Sequence, residues 1–94
     1  MKVSDINTEI LKNYLRIDGD DDDGLLEHIK DASIDYVCNY TGRTMQELEQ
    51  YNDIPLAILC LCADMYENRE YTTDRININP AVSQILGSHS NNLL

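Results

Sequence analysis

The chain has no tryptophan and no phenylalanine, and its aromatic content is six tyrosines. The rings on which single-stranded nucleic acid usually stacks are therefore sparse, and nothing sets them among cations. Cations themselves are scarce: seven Lys and Arg stand against 17 Asp and Glu, for a formal net charge of −10. Because affinity for nucleic acid comes chiefly from basic side chains displacing counterions, direct DNA binding is disfavoured. The partners expected instead are proteins of complementary charge, or further copies of the same chain with the acidic face turned away. Long apolar runs are missing too. The longest, residues 54–63, is about half of the ~20 residues a membrane helix needs. The opening residues turn polar at once, which reads as no secretory leader.

Catalytic signatures are also absent. No glycine-rich phosphate loop, nucleophile elbow, His-Glu zinc helix or Cys/His pairing of catalytic spacing occurs. The carboxylates fall in solvated runs rather than in a pocket that would push two pKa values apart, so neither an enzyme nor a cofactor is expected. Three cysteines form no disulfide framework and suit a reducing cytosol. Cys60 and Cys62 are two apart on a predicted helix and point to nearly opposite sides, while His28 and His89 are isolated. No metal site is expected, and the thiols read as buried apolar groups.

What is present begins with Asp18-Gly19-Asp20-Asp21-Asp22-Asp23-Gly24, five aspartates within six residues. As a calcium loop it fails in both registers. With Gly24 at the turn position, Lys30 falls where the bidentate Glu belongs; with Asp18 first, Asp23 replaces the turn glycine and Ile29 the Glu. The alternative is a helix start, where Asp side chains accept hydrogen bonds from free N–H groups and face the positive end of the dipole. Only two or three carboxylates can serve that way, and the others belong in water.

At 94 residues the chain is one domain that buries roughly 60% of its unfolded surface. Apolar residues at spacings of three and four predict a first helix from about residue 4–7 to Leu15, with Ile6, Ile10, Leu11, Tyr14 and Leu15 inward. A second, residues 22–40, carries Leu25, Leu26, Ile29, Ala32, Ser33, Tyr36, Val37 and Tyr40 on one stripe, and Gly42 stops it in a left-handed conformation. Ile34 and Cys38 lie on its back. They are either ordinary surface or a second contact face. Thr44 and Glu47 have capping-box spacing for a short helix near residues 45–50. Pro55 then opens a helix whose residues 56–63 contain no polar side chain. A helix apolar on all sides wants covering on all sides, and so small a chain is expected to leave part of it for another subunit. Residues 71–79 read as a loop, Asn79-Pro80 starts a final helix that Gly87 stops, and residues 88–94 read as a mobile tail after a single domain at 1–87. The fold class is all-α, two long helices with short flanking ones.

Three segments in order carry a resemblance: Leu15-Arg16-Ile17-Asp18 with the acidic residues and Leu25-Leu26; Tyr36-Val37 with Tyr40-Thr41-Gly42-Arg43; and the apolar helix ending in Tyr66-Glu67-Asn68-Arg69-Glu70. Together they resemble the small head-tail connector (head-completion, DNA-packaging adaptor) proteins of tailed bacteriophages and prophages, over roughly residues 4–86. The resemblance implies a virion subunit, assembled in the bacterial cytoplasm, that forms a ring of about a dozen copies by head-to-tail contacts. Such a ring docks below the portal protein, extends the DNA channel and meets a stopper or tail-completion protein. DNA would pass without specific binding. Carried over residue by residue, Gly42 has a backbone role and Arg43, Arg69, Glu67 and Glu70 join Ile34 and Cys38 as candidate subunit-interface residues. Each charged one is equally open to a local salt bridge or cap. Met65 stands where members often carry a bulky aromatic. The competing function is a small acidic regulator, a DNA mimic or antitoxin-like protein that binds a basic partner.

Overall fold

The structure, a computed structural model, describes residues 1–67 and 80–90. Among these residues a 3-10 turn at Val3–Asp5 precedes five α-helices: α1 (Thr8–Leu15), α2 (Asp23–Thr41), α3 (Met45–Leu48), α4 (Ile54–Glu67) and α5 (Pro80–Ser88). Among the described residues every regular element is helical, so the all-α expectation holds.

Local chemistry places most boundaries. Asn7 caps α1, its side-chain oxygen accepting the Ile10 N–H at 2.9 Å, which satisfies one of the donors a helix start leaves free. Gly42 closes α2 at φ 70° and donates its N–H to the Cys38 carbonyl at 2.9 Å. Thr44 and Glu47 form the reciprocal capping box at α3. Pro55 sits in the first turn of α4, where it removes no helical hydrogen bond. Three expectations are corrected. Ala32, expected on the inner stripe of α2, is exposed, because that stripe centres on Leu26, Ile29, Ser33 and Val37. Gly87 lies inside α5 rather than ending it, and the helix runs to Ser88; His89, beyond it, is held by side chains from elsewhere in the chain. Tyr14 is 43% exposed, because α1 turns Leu11 inward and leaves Tyr14 to reach Cys60 across the surface, Oη to Sγ 3.5 Å.

The central element is α4. It packs on α2, α5, α1 and the 3-10 turn, and Ile54, Ala57, Ile58, Leu61 and Cys62 are fully buried. Its neighbours within the chain thus cover most of it, and Leu56 is left 51% exposed. The need for another subunit to cover α4, inferred from its apolar sequence, is correspondingly reduced. Helix count alone did not show that four elements converge on one.

Candidate subunit and partner interface

The acidic turn proves to be a clasp between helices. Lys12 extends from α1 with a side chain only 10% exposed and places Nζ 2.5 Å from Asp20 Oδ1 and 2.6 Å from Asp23 Oδ1. Hydrogen bonds to those two carboxylates hold the Lys12 pKa well above its ordinary value, and the same contact holds Asp20 below the usual carboxylate range. Asp22 accepts the Tyr66 hydroxyl of α4 at 2.5 Å. No side-chain hydrogen bond caps α2 at Asp22, which corrects the expectation that the aspartates act chiefly as caps. Asp18 and Asp21 are exposed. Farther along, Glu27 accepts Lys30 Nζ at 2.8 Å and Thr8 Oγ1 at 2.9 Å, joining α1 to α2. Those hydrogen bonds, Lys30 first, lower the Glu27 pKa.

A second constellation gathers where α2 ends. Arg43 donates from Nε to the His89 carbonyl at 2.6 Å, approaches Glu47 at 3.5 Å and lies 5.8 Å from the centre of the Tyr51 ring. His89 stacks 4.0 Å from that ring and meets Asp53 Oδ1 at 2.7 Å. Glu47 is held below the ordinary carboxylate range, first by the Thr44 N–H and then by Arg43 among others. Of the two roles open to Arg43, the structure shows the local one. Ser88 thus closes α5 and His89 belongs to this cluster, while residues 91–94 lie outside the described set.

The other candidate interface residues do not form one patch. Ile34 is half-buried and walls a shallow pocket of about 480 Å3, with Val3, Ile6 and Met45 as further apolar lining and Lys30, Asp31 and Asp35 as charged lining. The 3-10 turn beside it is pinned by Glu49, which accepts the Ser4 N–H at 2.8 Å and hydroxyl at 3.1 Å. Cys38 packs half-buried against the core; burial, with the charge of Asp35 second, pushes its thiol pKa up. Glu67 is exposed at the last position of α4. Arg69, Glu70 and the expected loop at residues 71–79 lie outside the described residues. Cys62 is buried, with Sγ 3.4 Å from Ser33 Oγ, and burial raises its pKa. Among the described residues no group of His, Cys, Asp or Glu gathers to hold a metal ion, and no helix is long and apolar enough to cross a membrane.

The profile of the family described as phage gp6-like head-tail connector protein matches residues 6–89. The chain belongs to this family. It is accordingly a phage head-tail connector by descent, with a structural role in virion assembly. Neither the curated proteins nor the solved structures contain a match. The match spans the five described helices of the connector, from Ile6 to the His89 cluster. The Lys12 clasp and the His89 cluster escaped sequence reading because each joins residues from separate elements. The cue available was the pairing of a lone lysine on the apolar side of α1 with an acidic run shortly after it.

Proposed function

We propose that this connector forms a ring of about a dozen subunits that docks below the portal, continues the DNA channel and meets a stopper or tail-completion protein, without catalytic turnover. The observation that carries the reading is the family match over residues 6–89. Two physical features support it. The net charge of −10 suits a protein past which DNA slides without sticking. The small, capped and clasped helical body offers rigid surfaces for packing against copies. The acidic-regulator reading loses ground, since Asp20, Asp22 and Asp23 are engaged by Lys12 and Tyr66 rather than spread as phosphate mimics.

The test is negative-stain imaging and native mass measurement of the purified chain, alone and with a purified portal ring. Annular particles, or a portal ring that gains added density and mass, are expected. A monomer that ignores the portal yet binds a basic enzyme tightly would replace this reading with the regulator.

A further inference from the structure

The described basic side chains are unequally engaged. Lys12 is held by Asp20 and Asp23, Lys30 by Glu27, and Arg43 by Glu47 and His89. Arg16 is different. It is exposed, its side chain takes no hydrogen-bond or ion-pair partner among the described residues, and it ends α1 in a left-handed conformation at φ 59°. Ile17 after it donates its N–H to the Lys12 carbonyl at 2.9 Å, so the backbone there is fixed and the guanidinium is presented from a rigid corner. Among the described residues the other Lys or Arg without an ion pair is Lys2, which adjoins the 3-10 turn beside the pocket itself.

The pocket between the 3-10 turn, α2 and α3 has the complementary character. Its lining joins apolar Val3, Ile6, Ile34 and Met45, with Ser4, to Asp31, Asp35 and Lys30, and the Lys30 ammonium is already held by Glu27 at 2.8 Å. Asp35 is exposed and unpaired among the described residues, and Asp31 has only a 3.9 Å approach from Lys30. An arginine fits such a place with its aliphatic stem on the apolar lining and its planar head on carboxylates. Arg16 cannot reach it within one subunit, since α1 separates them by about 12 Å of helix rise. The pocket adjoins the start of α1, whereas Arg16 closes its end.

We propose that Arg16 of one copy enters the Asp31/Asp35 pocket of the next. Two different surfaces on one chain then meet head to tail, which is the kind of contact that closes rings or grows filaments. The proposal rests on the ring reading above and assigns that ring its contact.

Charge reversal and crosslinking of the full chain test it, free and bound to a portal ring. R16D and D35R should each raise the dissociation constant for self-association about tenfold or more, and the R16D/D35R double variant should recover most of the loss. R16C mixed with D35C should give an intermolecular disulfide that neither gives alone. R16G is the control for folding: it should melt no lower than the parent, because glycine adopts positive φ freely, and still assemble poorly. Rings that form normally with R16D would overturn the contact and leave the connector reading standing. Failure of D35R alone, with R16D unaffected, would assign the pocket to another protein's basic segment and overturn the proposal equally. A chain that never self-associates, free or on the portal, and gives no mixed disulfide would overturn the contact and the ring together, whereas portal binding by that monomer would preserve a connector role.

Discussion

Lys12 is the side chain on which the acidic turn depends. K12M should lower the melting temperature clearly, because Asp20 and Asp23 would then face each other without a cation. D21N, at an exposed aspartate, should leave it nearly unchanged, and thermal melts of the two variants separate clasp from bulk charge. Y66F removes the hydroxyl bound to Asp22 and should cost about 1 kcal/mol in denaturant unfolding. Calcium should barely move any of these values. The five aspartates were visible in the sequence, and so was the failure of both calcium registers. Their partners were not, since Lys12 and Tyr66 come from other helices and only packing brings them near.

At the scale of the element, glycine separates what was legible from what was not. Gly42 could be read as a stop because the pattern of α2 ends there, and its φ of 70° bears that out; G42A should destabilise by about 1 to 2 kcal/mol. Gly87 follows a short helix and gives the same signal, yet it sits within α5, where an added Cβ would meet nothing within 4 Å. G87A should therefore stabilise by up to about 1 kcal/mol, measured by the same unfolding. The reason lies outside α5, in the hold of Arg43, Tyr51 and Asp53 on His89. Capping boxes and first-turn prolines could be found because they act over three or four residues. The covering of α4 could not. L61A, at a fully buried position, should cost about 2 to 5 kcal/mol, whereas L56A, at a half-exposed one, should stay within about 0.5. Of the candidate interface, Ile34 was found at a pocket by its helical offset, while Arg16 was missed as a site because an exposed helix-end arginine is an ordinary sight in sequence.

For the whole molecule, charge sets the pH response. Asp20, Glu27 and Glu47 have depressed pKa values in the fold, so their contribution is fully present above the ordinary carboxylate pKa of about 4. It is lost as pH falls below that value and through the folded pKa. The raised Lys12 and Lys30 act oppositely, contributing fully below the ordinary lysine pKa and losing that contribution only as alkali passes their folded values. Stability should be flat through neutrality and fall below about pH 4, as denaturant midpoints across pH will show. In the proposed ring the same charge would keep copies apart except where a cation meets carboxylates, and so would make assembly selective about its contact surface. The most direct measurement is imaging with native mass of this chain mixed with a purified portal ring. The expected result is an annulus of connector subunits seated on the portal; a portal whose mass and outline are unchanged at saturating connector would contradict it.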